Sequence, residues 1–489
     1  MKKTITFLAI MMMYFTGYTN NIRVSNISLE NLNEGGGWVH VEFDLAWDNS
    51  WRLSAGPSNW DAAWVFVKYR TNGGNWLHAQ VNQTNSVAAT GSTLEVSSDY
   101  KGAFVYRNAD GDGNVNFTNI QLQWNYGSTN TSDIIDVQVF AIEMVHVPEG
   151  GFYVGGTTGN QNNKFHSGGV STTSSYHVTS ENTITIANTV GNLYYTSDTS
   201  ASGDQSGVLP LTYPKGFGAF YCMKYETSEA QWVAFFNTLT EQQKGYHDIT
   251  DGDHKGSNAT VKRNTITWAG GATDAISTSP DRATPYLHAD DINAYMDWAA
   301  MRPMTELEYE KAARGPITPK ADEFAWGNAS INNSPYTILN DGSTNEIINN
   351  PAIGIGNAMY NSTNTNLDGP GRCGIFAASA TNKTREETGG SYYGIMELSG
   401  NVYETCVTVG TAQGRSYTGT HGNGIVNSVT GNGTVSFWPN DTTGDGYSYR
   451  GGSYINAPNF LRISDRTDGA SLLNKGSSRI GFRAVRTAP

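Results

Sequence analysis

From Asn21 to about Ile142, apolar and polar residues alternate in short runs, as in WVHVEFDLAW (38 to 47), AAWVFVKYR (62 to 70) and DIIDVQVFAI (133 to 142). A period of two with turn residues between the runs predicts antiparallel strands packed as a β-sandwich. After MVHVPEGGFYVGG (144 to 156) comes a passage rich in Ser, Thr, Asn and Gly that lasts to about Val208. It is too polar to make a core by itself and reads as long surface loops. The period then changes to that of a helix. In YETSEAQWVAFFNTLT, Ser228 and Gln231 form a capping box ahead of Trp232, Phe235, Phe236 and Leu239. In HADDINAYMDWAA, Asp290 and Asp291 suit a first turn, and Ile292, Tyr295, Met296 and Ala299 make a stripe. In MTELEYEKAARGP, Thr305 and Glu308 form a second capping box, and Gly315 and Pro316 end the helix. From Phe324 onward Gly and Asn dominate again, which predicts an irregular domain of mixed α and β type with no internal repeat.

A length of 489 residues exceeds one hydrophobic core and predicts two or three domains. Only 15% of residues are charged, while glycine occupies 55 positions, which favours short strands and polar loops over a helical bundle. The formal charge of −13, without clustered Lys or Arg, excludes nucleic acid or an anionic membrane surface as partner.

The N-terminus MKKTITFLAIMMMYFTGYTN has two lysines, an apolar run from Ile5 to Phe15, and small residues at Gly17 and Thr19. That is the layout of a signal peptide over 1–19, so export to periplasm, cell surface or medium is expected. The run is about half the ~20 residues a spanning helix needs, so no membrane insertion is expected.

Chemistry-bearing residues are sparse. Cys222, Cys373 and Cys406 allow at most one disulfide, and without CxxC or paired-His spacing they support no zinc site. They read as buried small apolar residues. DGDGNVNFTN places Asp110, Asp112, Asn114 and Asn116 like the first ligands of a calcium loop. However, Val115 stands where that loop needs Gly and Gln121 where it needs Glu, so an ordinary polar turn is favoured. In HDITDGDHK, His247, Asp248, Asp251, Asp253 and His254 crowd together with no facial-triad spacing, and a polar loop after a helix accounts for them. His421 in TGTHGNG reads as a loop residue.

Four segments in order carry a resemblance: FYCMKYETSEAQWVAFFN (220 to 237), MRPMTELEYEKAARG (301 to 315), YYGIMELSGNVYE (392 to 404), and RGGSYINAPNFLRISDR (450 to 466) with SRIGFRAVR (478 to 486). Together they resemble the formylglycine-generating enzyme and sulfatase-modifying-factor family. The resemblance covers residues 143–489 and implies an α+β, C-type-lectin-like fold behind an N-terminal β-sandwich at 20–142. It also implies structural calcium. By position, Glu397 and Glu404 would give side-chain oxygens and Gly400 and Val402 backbone carbonyls, with Asn401 bracing the turn. A second site would fall near Asn357 and Ala358, with further ligands between Asp368 and Gly374.

The family's oxidase uses two cysteines, five positions apart after the GGS motif, to hold copper and exchange with a substrate cysteine. Those positions here are Asn456 and Leu461. Ser453 matches the family's serine but has no adjacent base, and Tyr403 and Thr405 stand where the family has tryptophans. The site around Ser453, Asn456 and Leu461 is therefore degenerate, and neither a catalytic residue nor copper is expected. A related branch, the iron-dependent sulfoxide synthases, builds its metal site partly from an added helical domain, whereas the added domain here reads as strands.

The expectation is a calcium-stabilised binding or surface-assembly protein. Its protein or glycan ligand, or another copy of itself in self-assembly, would meet the Asn-, Ser-, Thr-, Gly- and Tyr-rich loops at 157–208, 328–370 and 411–449. The alternatives are a formylglycine-generating oxidoreductase acting on a sulfatase cysteine, and a structural subunit of an extracellular fibre or layer.

Overall fold

The alternating runs become nine strands in the computed structural model, which describes residues 22–489 apart from 128, 131, 362–366 and 474–475. The leader expected at 1–19 lies outside the described residues. The strands are β1 (Arg23–Asn33), β2 (Trp38–Arg52), β3 (Asp61–Thr71), β4 (Leu77–His78), β5 (Gln80–Val87), β6 (Ser92–Val96), β7 (Ala103–Arg107), β8 (Gly111–Asn125) and β9 (Ile135–Val147). One sheet has the order β1-β2-β8-β5, and the facing sheet contains β9-β3-β7-β6 with β4 at the end of β3. Between them, Val41, Phe43 and Leu45 of β2 and Leu122 of β8 pack on Val65 and Val67 of β3 and Val105 of β7.

The Asp110 loop is no ion loop. β8 already begins at Gly111 and sets Asp112 opposite Trp51, while the Asp110 carboxylate accepts the Ser54 N–H and Oγ–H.

Strand β3 faces two cores. Alternate residues Ala63, Val65 and Val67 enter the sandwich, whereas Ala62, Trp64 and Phe66 point the other way and join a core built with helices. A strand covered on both faces has no polar side, which is why AAWVFV is nearly unbroken in apolar residues.

Strand β9 runs across position 142. Its end, Met144–Val147, pairs with strand Phe220–Met223, which pairs with the C-terminal strand Ala484–Thr487, which in turn pairs with Arg302–Pro303. The sandwich and the C-terminal portion thus share one eight-stranded antiparallel sheet. Buried Lys68 reinforces the join by donating to the carbonyls of Trp298 and Gly424, both at 2.7 Å, and Trp64 Nε1 donates to the Ala299 carbonyl at 2.9 Å.

Helices α1 (Glu229–Phe236), α3 (Ala289–Trp298) and α4 (Glu306–Arg314) lie where the caps and the acidic first turn put them, whereas the short α2 (Glu241–Tyr246), capped by Thr240, is an addition to that expectation. Ser228 and Thr305 accept from the N3 backbone, and the N3 side chains return the bond. Gly315 ends α4 at φ +72. Trp232 and Phe235 of α1 meet Tyr295 and Trp298 of α3 edge-on or stacked, and Trp298 meets Phe66 edge-on at 5.1 Å. Helix α4 is buried on every side, charged residues included.

The passage read as surface loops carries the short paired strands Phe165–Ser167, Ile184–Ile186, Leu193–Tyr195 and Gly207–Leu209, whose Phe165, Ile186, Leu193, Tyr195 and Leu209 enter the main core. One or two apolar residues per strand, separated by polar turns, give no detectable period.

Burial pushes the Glu229 carboxyl up to about 7, although the Thr265 N–H and the hydroxyls of Thr265 and Ser277 all donate to it. A carboxyl raised on folding favours the native state fully only below its unfolded value, and that contribution is lost as pH rises through 7. Glu229→Gln should therefore flatten the stability profile between pH 4.5 and 7 by about 3 kcal/mol, read by urea unfolding at several pH values. A profile identical to wild type would remove Glu229 from that account.

Candidate functional site

Residues 450–466 leave strand Tyr447–Arg450, which pairs with Tyr403–Val407, and do not continue as a strand. Gly452, at φ +67, turns the chain where a Cβ would lie 2.6 Å from Leu461 Cδ1. The chain then forms a turn at 453–456 and a 3-10 helix at Pro458–Leu461.

Both ends of this loop are clamped onto α4. Arg450 donates to Glu310 Oε1 at 2.8 Å and to Glu306 Oε1 at 3.3 Å. Arg466 grips Glu306 with Nε (2.8 Å) and Nη2 (2.9 Å), gives Nη1 to the Asn163 carbonyl, and lies between the rings of Phe165 and Tyr195. All four charged groups are fully buried. This two-point, planar geometry needs guanidinium rather than ammonium.

Inside the clamp, the positions that the resemblance assigns to thiols hold other chemistry. Leu461 is 0% exposed and packs with Phe324, Trp326, Ala358 and Tyr360. Asn456 Oδ1 accepts both the Ser453 N–H (3.0 Å) and the Ser453 Oγ–H (2.5 Å). The serine proton therefore faces an amide carbonyl, which cannot take it as a base. Thr405 donates to the Gly481 carbonyl, and Tyr403 lies 5.9 Å from the Tyr449 ring.

The three cysteines are free and buried. Burial pushes the Cys222 thiol up to about 12 and those of Cys373 and Cys406 well above their ordinary range. No pair of thiolates is poised for soft-metal binding, so the copper chemistry of the resemblance does not fit this chain.

The residues proposed for calcium lie behind this loop. Gly374 N–H donates to Glu397 Oε1 at 2.9 Å, and Arg483 grips Glu404 Oε1. Asn401, at φ +63, is held through Oδ1 by Gly371 N–H and through Nδ2 by Glu226 Oε1. Gly400 N–H donates to the Gly451 carbonyl, and Val402 is buried. Glu226 and Asp281 join Glu397 around Cys373, Glu404 lies against Arg483, and Arg372 and Arg483 are the cations.

Oε2 of Glu226, Glu397 and Glu404 and both oxygens of Asp281 have no hydrogen-bond partner. Burial raises all four carboxyls, Glu397 and Asp281 to about 7. Burial favours the protonated form of these carboxyls, and among the described residues no three of them bring ligand oxygens within 4.8 Å of one another.

The region of the second expected site is arranged differently. Asn357 Oδ1 accepts from Tyr336 Oη and Ala352 N–H, and its Nδ2 donates to the carbonyls of Ala352 and Glu387, which spends the whole amide on protein. Ala358 lies in the apolar cluster with Leu461, and Asp368 pairs with Lys262 at the surface.

Sequence patterns missed Glu226, Asp281, Arg372 and Arg483, because lone charges carry no sign of burial. The one available signal was the position of Glu226 beside the Ser228 cap. His247 and His254 both bond Asp291 of α3, a partner 44 and 37 residues away. His421 Nε2 accepts the Thr487 N–H.

Comparison with known proteins places these features in context. The family model described as "Sulfatase-modifying factor enzyme 1-like domain" matches residues 137–488. Among solved structures, Treponema denticola variable protein 1 is similar over 71% of this chain and 96% of its own, at 12% identity and a TM-score of 0.31. No curated protein matches the sequence.

Proposed function

The chain belongs to the sulfatase-modifying factor family, and we propose that it is an exported, calcium-stabilised member that binds a protein or glycan ligand and does not oxidise cysteine. One observation carries this reading: a sealed leucine and an amide bonded to serine occupy the positions of the copper-binding thiols. Cysteine oxidation through copper needs soft thiolates and a thiol able to form a mixed disulfide with substrate, and neither Asn456 nor Leu461 supplies one.

The loops are the surfaces left to act. The segment 411–449 is rigid at its base, where Trp438 is buried and donates to the Thr420 carbonyl and Asn293 Nδ2 donates to the Pro439 carbonyl. Next to Trp438, Phe437 takes φ +65 and is 62% exposed. A strained aromatic held outward on a fixed base supports a stacking role toward an apolar side chain or a sugar face. A glycan array probed with and without calcium tests this, together with peptide pull-down. Phe437→Ala should lose at least tenfold in affinity for whatever wild type retains, and equal binding by the two proteins would dismiss the loop.

Calcium would sit at Glu397 and Glu404 with the backbone carbonyls of Gly400 and Val402. At free calcium about 1,000 times Kd, binding to the native state alone adds roughly 4 kcal/mol of stability. Chelation should lower the melting temperature measurably, and Glu397→Gln should abolish the difference. Identical melting with calcium and with chelator would refute the site.

A further inference from the structure

The loop that follows α2 and the first turn of α3 meet in a cluster outside the site described above. Asp291 is fully buried, with Oδ1 on His247 Nδ1 at 2.8 Å and Oδ2 on His254 Nε2 at 2.9 Å while also accepting the His288 N–H at 2.8 Å. The other nitrogen of His254 meets Asp251 Oδ1 at 2.7 Å. His288, at the N-cap of α3, makes no side-chain cap bond. Instead its ring stacks on that of His254, with centroids 3.9 Å apart, and its Nε2 reaches the Asp253 carbonyl at 3.1 Å. His254, His288 and Asp291 each offer a ligand atom within 4.8 Å of the other two.

Two imidazoles and a carboxylate are the donor set of a borderline ion such as zinc, which accepts three protein ligands and leaves a position open. Hard calcium prefers oxygen alone. A metal-bound histidine usually gives its other ring N–H to a carboxylate or carbonyl, and a metal-bound carboxylate is itself held by a donor. Each outer bond is present here: Asp251 on His254, the Asp253 carbonyl on His288, and His247 on Asp291. His247 Nε2 is buried without a partner, so a neutral His247 carries its proton on Nδ1 and donates it to Asp291.

We propose that His254, His288 and Asp291 form a binding site for one zinc-class divalent ion, separate from the buried carboxylate cluster. Binding replaces the proton between His254 Nε2 and Asp291 Oδ2 by the ion and releases that proton to solvent. Face-to-face rings cannot aim in-plane lone pairs at one ion, so the His288 ring also turns out of its stack. His288 is partly exposed, so its outer side leaves space for that movement.

The test titrates the full mature protein with zinc by calorimetry in calcium-saturated buffer, in two buffers of different ionisation enthalpy, and repeats the titration with cobalt(II) in the visible spectrum. One ion per chain, net proton release and intense bands of low-symmetry cobalt are expected. His288→Ala should weaken binding at least tenfold without shifting the melting temperature of the metal-free protein, and Asp291→Asn should weaken it further. If Asp291→Asn does not fold, His288→Ala decides alone. No binding, binding without proton release, or equal affinity in wild type and His288→Ala would overturn the proposal.

Discussion

Arg466→Ala is expected to lower the unfolding free energy by about 3–5 kcal/mol, because it leaves the fully buried Glu306 without the partner that holds both its oxygens. The loss reaches beyond one ion pair. The guanidinium also fills the space between Phe165 and Tyr195 and caps the Asn163 carbonyl, so three distant segments depend on it. Arg466→Lys should recover only a small part, since an ammonium cannot make the two-point bond. Urea unfolding of the three proteins measures this, and a cost for Arg466→Ala below about 1 kcal/mol, the range of a surface pair, would contradict the assignment.

Removal of residues 20–142 should have the larger effect. The fragment 143–489 would keep only the last five residues of β9 and expose the helical face now covered by Trp64, Phe66 and Phe104. It would also lose the Lys68 bonds to Trp298 and Gly424. An apolar surface of that extent beside an unpaired sheet edge predicts aggregation in place of folding. A soluble monomer of 143–489 with a cooperative thermal transition would show that the shared sheet is dispensable.

These two expectations also mark where the sequence was readable. The capping boxes at Ser228 and Thr305 located α1 and α4 because caps are local chemistry, and the alternation in β2 located the sandwich because one face of that strand meets solvent. The continuous sheet was not legible. β3 shows an unbroken apolar run, and such a run does not say whether its second face meets a helix of the same domain or of another. The arginines of RGGSYINAPNFLRISDR were visible, but nothing near them identified Glu306 and Glu310, 140 or more residues earlier, as their partners. The same limit hid the cluster at Asp291, where HDITDGDHK supplies four of the groups and the start of α3 the other two. The absent thiols were legible from position alone, because Asn and Leu exclude that chemistry in any conformation.

The central claim is that this family scaffold persists here without its oxidase reaction. The most direct test incubates the purified mature protein with copper, oxygen and a cysteine-containing sulfatase peptide and follows the peptide by mass spectrometry. The account predicts unmodified cysteine at all times, with Asn456→Cys/Leu461→Cys as the variant that restores the missing thiols to the loop. Conversion of the peptide cysteine to the aldehyde by the wild-type protein would contradict it.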